Sequence, residues 1–124
     1  MFLLDTDVVI WALRNNQKII SFLLEISESG SLGLSTLTIA EIYKNIFPTE
    51  IFQTEEFIRR HIIYGVDEDV AKQGGLYWQE YSKQFKTLNI IDCMIASTAY
   101  INDLTLVTLN VKHYPMQGLR LLSS

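Results

Sequence analysis

The chain opens with Met1-Phe2-Leu3-Leu4, an apolar run that ends abruptly at the polar triplet Asp5-Thr6-Asp7. The run is too short for a buried helix and is typical of a strand that is buried on both faces of a parallel sheet. Similar runs lie at 32–35, 62–66 and 104–108, and a last one at 119–122 suits an edge strand. Between these runs, helical patterns cover 8–13, 18–29, 37–45, 50–61, 67–85 and 90–101. Strands that alternate with helices predict an α/β fold built from right-handed βαβ units.

The composition of the 124 residues limits the class of protein. Hydrophobic residues make up 48% of the chain and charged residues 19%, which excludes a disordered chain and predicts one domain over 1–124. The single cysteine, Cys93, excludes an internal disulfide, and no signal peptide is recognised, so we expect a cytoplasmic protein. No apolar run approaches the ~20 residues that span a bilayer, so no membrane partner is expected.

The net charge of −4 does not match the basic footprint of a typical nucleic-acid-binding module. One cluster of four carboxylates would account for the whole acidic excess. The composition is therefore compatible with an enzyme whose acidic site holds cations.

Acidic residues lie at or near several predicted strand ends, where parallel α/β sheets bind their ligands. Asp5 directly follows the first strand, and Asp5 and Asp7 both suit the N-cap of the next helix. One cap needs only one acid, so the second carboxylate is surplus charge beside a buried strand end. Such a charge is costly unless a cation neutralises it.

Glu41 has two competing interpretations. With Thr38 it fits a capping box, in which the glutamate reaches back to the start of its helix, and this is the stronger interpretation for the segment alone. Helical spacing, however, places Glu41 on the inward face together with Leu37 and Ala40. A glutamate that points toward a core needs a partner.

Asp92 is the only carboxylate in the apolar stretch 90–96, and Asn89 is the better-placed N-cap for that helix. An aspartate in such surroundings has a raised pKa or binds a cation. Asn110 and His113 follow the fourth strand, although asparagine also suits an ordinary turn. His61 is expected on a polar helix face and receives no functional role. The Gly74-Gly75 pair either weakens its helix or lets a neighbouring element pack closely.

Asp5, Glu41 and Asp92 are distant in sequence but are all expected at one sheet edge. Three carboxylates that meet there would repel one another by about 4 kcal/mol per pair at 4 Å and an effective dielectric near 20. Mg²⁺ or Mn²⁺ relieves such repulsion because hard cations take oxygen ligands. These ions also convert water into a nucleophile for phosphodiester hydrolysis.

Four stretches together resemble the motifs of PIN-domain nucleases. They are Leu3-Leu4-Asp5-Thr6-Asp7-Val8-Val9-Ile10, Thr38-Ile39-Ala40-Glu41-Ile42, Ile91-Asp92-Cys93-Met94-Ile95-Ala96-Ser97-Thr98-Ala99 and Leu106-Val107-Thr108-Leu109-Asn110-Val111-Lys112-His113-Tyr114. The match runs through essentially the whole chain, in order and at the family's spacing. The length is similar to that of VapC-type toxins of toxin–antitoxin pairs.

The resemblance implies a PIN-like three-layer α/β/α sandwich with a mostly parallel central sheet and the activity of a metal-dependent endoribonuclease. Carried over by position, Asp5, Glu41 and Asp92 become the metal ligands, with Mg²⁺ or Mn²⁺ as cofactor and RNA as substrate. Members of the family often have a fourth acid in the last motif. This chain has Asn110 there instead, and His113 occupies a position where an aspartate is frequent. This departure puts a second tightly held metal in doubt.

The resemblance also implies a homodimer and an antitoxin that blocks the acidic pocket. Candidate contacts are the apolar segments around Phe47, Phe52, Phe57, Tyr77 and Trp78, although most of these residues are expected to pack in the core. In the helix at 50–61 the inward residues are expected to be Ile51, Phe52, Phe57 and Ile58.

We hypothesise that Asp5 and Asp92 bind the principal metal ion and that Glu41 completes its coordination shell or orients water. Asp7 and Asn110 would support these residues from outside the shell. Three alternatives stay open. A haloacid-dehalogenase-like phosphatase would use Asp5 as covalent nucleophile, although no later acid pair matches that family; a response-regulator receiver fits the length alone. The third is a degenerate PIN module that only binds, which is motivated by Asn110 and His113 in the place of expected acids.

Overall fold

The structure is a computed structural model that describes residues 1–124, in which five short strands alternate with helices. The strands are β1 (Phe2–Leu4), β2 (Leu32–Ser35), β3 (Ile62–Tyr64), β4 (Thr105–Val107) and β5 (Leu121–Leu122). The helices are α1 (Thr6–Leu13), α2 (Gln17–Ser27), α3 (Thr36–Tyr43), α4 (Ile51–Arg59), α5 (Glu68–Tyr81) and α6 (Ile90–Ile101), with 3-10 turns at Pro48–Glu50 and Val111–His113. None of these helices has both the length and the apolar character needed to cross a bilayer.

All neighbouring strands pair in parallel, in the order β3-β2-β1-β4-β5. The chain builds outward from the central β1 to β3 and then returns to place β4 on the other side of β1. Strand order therefore reverses between β1 and β4, which is where sheets of this kind bind ligands. The predicted α/β/α sandwich is confirmed, with a sheet that is parallel throughout.

The alternation of side chains along β1 divides the interior into two cores. Leu3 and its β4 partner Leu106 face one side of the sheet, where they pack with buried residues of α5 and α6. Leu4 and its partner Val107 face the other side, where they pack with buried residues of α1 and α2. Burial on both faces explains why the opening run is apolar at every position.

Two local predictions need correction. Helix α1 begins at Thr6 rather than near residue 8, because the Asp5 carboxylate accepts a hydrogen bond from the Thr6 amide and caps the helix. In α4, Ile51 and Phe52 do not point inward, and Phe52 is 78% exposed. The buried face of α4 is instead set by Thr54, with the half-buried Phe57 and Ile58 one turn later.

The two adjacent glycines of α5 have different environments. Gly74 is buried against α6, and a Cβ placed there would lie 3.3 Å from the Met94 Cα and 2.5 Å from its Sδ. A Cβ on the exposed Gly75 would meet no atom within 4 Å. Gly74 therefore permits the close approach of α5 and α6, whereas Gly75 has no packing role within the chain.

We expect Gly75→Ala to raise the free energy of unfolding by about 0.5–1 kcal/mol, because alanine favours the helix over glycine. Gly74→Ala gains the same propensity but crowds Met94, which costs about 1–3 kcal/mol. Gly74→Ala should consequently be less stable than Gly75→Ala in urea unfolding. Equal stabilities would contradict the close packing of α5 on α6.

Candidate active site

Four carboxylates come to the carboxyl edge of the sheet, and we call this group the acidic edge: Asp5, Asp7, Glu41 and Asp92. Asp5 follows β1, Asp7 lies in the first turn of α1, Glu41 in α3, and Asp92 in the first turn of α6. Burial is the first cause that raises the pKa of Asp92, and the negative charges of Asp5, Glu41 and Asp7 raise it further, so these three acids lie near Asp92. The structure thus places the predicted Asp5, Glu41 and Asp92 at one edge, together with Asp7.

Asp5 is the most tightly held member of the acidic edge. Its backbone amide donates to the Val107 carbonyl at 2.8 Å, which ties the end of β1 to the end of β4. Its Oδ1 accepts from the Thr6 amide and its Oδ2 from the Thr108 hydroxyl, each at 2.8 Å. The side chain is fixed at the point where strand order reverses and is only 7% exposed.

Thr108 and Asn110 connect the end of β4 to these acids. Besides donating to Asp5, the Thr108 hydroxyl accepts from the Asn110 amide at 3.0 Å. The Asn110 side-chain Nδ2 donates to Asp7 Oδ2 at 2.7 Å, while Asp7 Oδ1 accepts from the Val8 amide. Asn110 therefore orients the Asp7 carboxylate through this hydrogen bond.

Glu41 is oriented by two threonines and does not cap its helix. Ser35 is the N-cap of α3, with its hydroxyl accepting from the Leu37 amide at 3.0 Å, so the capping-box interpretation is wrong. The Thr6 hydroxyl donates to Glu41 Oε1 at 2.6 Å and lies 3.0 Å from the Thr38 hydroxyl. Since Thr6 uses its one proton on Glu41, Thr38 is the donor to Thr6.

Asp92 differs from the other acids because its carboxylate accepts no hydrogen bond from the protein. The cap of α6 is Asn89, as expected, and its Oδ1 accepts from the Asp92 backbone amide at 2.8 Å. Burial and then the charge of Asp5 raise the pKa of Asp92 to about 6. Its oxygens are available to a ligand.

The charge of the acidic edge has little compensation. The four ion pairs of the protein all lie elsewhere, at Arg59, Lys72 and Arg120. Burial, followed by the charge of Asp7, raises the pKa of Asp5, and burial also raises the pKa of Asp7. The exposed His113 lies near enough for its positive charge to lower the pKa of Asp92, but this offsets only part of the repulsion.

The acidic edge fits a divalent cation in donor chemistry but does not enclose one. All of its donors are hard oxygens with excess negative charge, which suits Mg²⁺ or Mn²⁺. No group of three or more His, Cys, Asp or Glu side chains is arranged so that it could hold a metal ion. The three carboxylates predicted as ligands, Asp5, Glu41 and Asp92, therefore do not form a closed shell in this structure. The carboxylates of Asp5 and Glu41 accept hydrogen bonds from Thr6 and Thr108.

Sequence reasoning missed the hydroxyl groups of the site. Thr6, Thr38 and Thr108 position the carboxylates, and Tyr114 is buried beside Asp5. The spacing of Thr38 and Glu41 in the sequence did single out Thr38, but it suggested a helix capping box. For Thr108 the signal was its position directly after a buried strand, the same position that singled out Asp5.

Comparison with known proteins agrees with this architecture. The family model described as PIN domain matches residues 2–117. The chain is 30% identical over 117 residues to Ribonuclease VapC19 of Mycobacterium tuberculosis, covering 94% of each protein. It is 29% identical over 116 residues to Ribonuclease VapC10 of the same organism, covering 94% of this chain and 87% of the relative.

Among solved structures, the fold is similar to that of VapBC2 from Rickettsia felis, which was crystallised with a DNA fragment from its promoter. The TM-score is 0.87 at 20% sequence identity, over 99% of this chain and 98% of the other. At that identity the likeness concerns the fold.

The raised pKa of Asp92 predicts how the stability of the cation-free protein depends on pH. The unfolded chain ionises this carboxyl near 3.8 and the folded chain near 6, so between these values folding becomes less favourable as pH rises. At 1.36 kcal/mol per pH unit the upper bound is about 3 kcal/mol, which solvent screening reduces to about 1–2 kcal/mol. Asp92→Asn should therefore stabilise the protein by that amount at neutral pH, and the gain should vanish near pH 4, measured by urea unfolding in EDTA.

Asp69→Asn is the matched control, because Asp69 also lies in the first turn of a helix but belongs to α5, outside the acidic edge. Its substitution should cost about 0.3–1 kcal/mol through the helix dipole. A gain for Asp92→Asn that did not change with pH would contradict the electrostatic origin.

Proposed function

Because this chain belongs to the PIN-domain family, we propose that it is an endoribonuclease that hydrolyses RNA phosphodiester bonds at the acidic edge. Two relatives that align with nearly the whole chain carry the name ribonuclease. The observation that carries the proposal is the meeting of Asp5, Asp7, Glu41 and Asp92, none of which forms an ion pair with Lys or Arg, where strand order reverses. A protein keeps such mutually repelling acids together at a cost in stability, which is typical of functional sites.

We infer that the acidic edge works with Mg²⁺ or Mn²⁺, held by Asp5 and Asp92, with Glu41 completing the shell. Such an ion, when bound, activates water and neutralises charge on the phosphate. Asp92 suits the role of ligand because no protein donor occupies its carboxylate. Thr108 fixes the plane of the Asp5 carboxylate, and Thr6 restrains Glu41, so both acids are oriented in advance.

The chain's own residues favour attack by water over a covalent route. A phosphatase of the haloacid-dehalogenase type would need Asp5 as nucleophile. Both Asp5 oxygens accept hydrogen bonds from the protein, and the residue is nearly buried, which makes it a poor nucleophile. The PIN-domain model matches residues 2–117, which argues against both the phosphatase and the response-regulator receiver.

The relatives named VapC suggest the wider role of a toxin in a toxin–antitoxin pair, with a homodimer and an antitoxin as partners and a cytoplasmic site of action. A cavity of about 650 Å³ lies between α2 and α4 at the amino end of β2. Leu24 and Phe52 line it and are largely exposed, which is typical of a surface that binds a protein partner. Of the aromatic segments considered from the sequence, the one at Phe52 and Phe57 is the part that lines this cavity.

Purified protein incubated with total RNA and Mn²⁺ tests the activity. We expect cleavage that EDTA abolishes and that Asp5→Asn or Asp92→Asn reduces at least about 100-fold, because a lost ligand removes several kcal/mol of transition-state stabilisation. The measurement is the initial rate of appearance of new RNA ends. Asp69→Asn, which lies outside the acidic edge, should keep the parent rate.

Two results of this assay would contradict the proposal. One is a full rate in folded Asp5→Asn. The other is no cleavage together with no uptake of Mn²⁺ by calorimetry, which would support the degenerate binding module suggested by Asn110 and His113.

The toxin role has a separate test. Expression of the parent chain in a bacterial host should arrest growth, because cleavage of cellular RNA stops protein synthesis. Asp5→Asn expressed to the same level should leave growth unchanged, measured as the doubling time after induction. Arrest by both chains would mean that the toxicity does not come from the acidic edge.

A further inference from the structure

The exposed face of α1 carries an aromatic ring and a positive charge next to the acidic edge. Asp7 and Trp11 lie in α1 and Arg14 is its C-cap, at spacings of four and seven residues, so their side chains share one face of the helix. At a rise of about 1.5 Å per residue, Trp11 lies roughly 6 Å and Arg14 roughly 10 Å along the axis from Asp7. This face therefore continues the acidic edge along the surface of the protein.

Trp11 and Arg14 form a stacked pair at that surface. The guanidinium carbon of Arg14 lies 5.5 Å from the centre of the Trp11 ring, within the range of a cation–π contact. Trp11 remains 43% exposed beside this neighbour. The backbone that carries the pair is fixed at the end of α1, because Gln53 Nε2 of α4 donates to the Leu13 carbonyl at 2.8 Å. The pair is therefore an accessible ring and charge on a rigid support.

The charge of Arg14 is not used inside the chain. None of the four ion pairs of the protein includes it. A cavity of about 200 Å³ lies between α1, α3 and α4, and its lining contains both Arg14 and Glu41 of the acidic edge. Arg14 is the only basic residue in that lining. An anionic group bound beside Arg14 would therefore lie next to the acidic edge.

These features fit single-stranded RNA better than a protein partner. Single-stranded nucleic acids are bound by aromatic rings and guanidinium planes on which bases stack, together with positive charge that contacts the phosphates. A protein partner that neutralised the acidic edge would have to be basic, and the free charge of Arg14 would repel it. A polyanion is attracted by the same charge.

We propose that Trp11 and Arg14 form a subsite for a nucleotide of single-stranded RNA that flanks the phosphodiester bond cut at the acidic edge. Its base stacks on Trp11 and a phosphate binds Arg14. The inference rests on the proposed function, since it takes the acidic edge as the place of cleavage. Because stacking tolerates every base, the subsite adds affinity without selecting a sequence. It holds a part of the substrate away from the reacting bond, so it should act on KM and not on kcat.

The first arm of the test locates the bound RNA by fluorescence. The probe is a single-stranded oligoadenylate of about 12 nucleotides, added to the full chain in EDTA and low salt, where cation-dependent cleavage does not occur. The chain has two tryptophans, so Trp78→Phe reports on Trp11 alone and Trp11→Phe reports on Trp78 alone. We expect quenching in Trp78→Phe and none in Trp11→Phe, because α5 packs on the opposite face of the sheet from α1.

The second arm measures the contribution of each side chain. Trp11→Ala should weaken oligoadenylate binding about tenfold, the usual loss when a stacking ring is removed, and raise KM for RNA cleavage by a similar factor at unchanged kcat. Trp11→Phe keeps an aromatic face and should retain most of the affinity. Trp78→Ala is the matched control, because Trp78 is 47% exposed but belongs to α5.

The third arm tests the phosphate contact through its salt dependence. Arg14→Ala should weaken binding and make the slope of log affinity against log salt shallower by about 0.7, as expected for one lost contact to a single strand. Arg14→Lys keeps the charge and should restore the slope. Arg120→Ala is the matched control, because Arg120 is exposed and pairs with Asp103 at the amino end of β4, away from the acidic edge.

The outcomes separate this inference from the nuclease proposal. Unchanged RNA affinity in Trp11→Ala and Arg14→Ala, in a chain whose parent cleaves RNA, overturns the subsite and leaves the nuclease proposal standing. Loss of affinity in both variants, with no cleavage by the parent, supports RNA binding at this face and overturns the nuclease proposal. If Trp11→Ala lowers kcat at unchanged KM, or if only the binding of a protein partner is lost, the inference fails.

Discussion

The hydrogen bond from the Thr108 hydroxyl to the buried Asp5 carboxylate is the contact on which the organisation of the acidic edge depends. It joins residues 103 positions apart, at the ends of the two strands between which strand order reverses. A buried carboxylate with a single donor would be costly, and the Thr108 bond supplies the second. Because Thr108 also accepts from the Asn110 amide, the same contact fixes the loop that orients Asp7. One hydroxyl thus sets the geometry of two acids and of the segment that leads to Tyr114.

Much of the fold could be predicted from sequence because its signals are local. The helix at 90–101 has the predicted limits, since Asn89 caps it and apolar residues continue to its end. The short apolar runs became strands because a sheet covered on both faces needs uninterrupted hydrophobic residues, as Leu3 and Leu4 demonstrate by facing opposite cores. The position of Asp5 at the carboxyl edge followed directly from where the first run stops.

The finer structure of the site could not be predicted, because its contacts have no local pattern. The Thr38-to-Glu41 spacing is the same whether the pair forms a capping box or, as here, meets Thr6 from another helix. The choice depends on Ser35 taking the cap, which is a competition between two nearby residues of similar propensity. Tyr114 is similar, since nothing in its neighbourhood in sequence indicates that its ring is in the core and its hydroxyl beside a carboxylate 109 positions earlier.

The acidic edge also determines how folding and ligand binding are linked in this protein. Burial raises the pKa values of Asp5, Asp7 and Asp92 together, so each ionised acid lowers the stability of the folded chain. The two apolar cores on either side of β1 offset that cost and keep the site formed without a cation. Anything that neutralises these acids and binds only the folded state therefore stabilises the chain by mass action. A cation, or a basic group from a protein partner, would compete for the same stabilisation, so a partner that places positive charge on Asp92 both holds the fold and blocks the site.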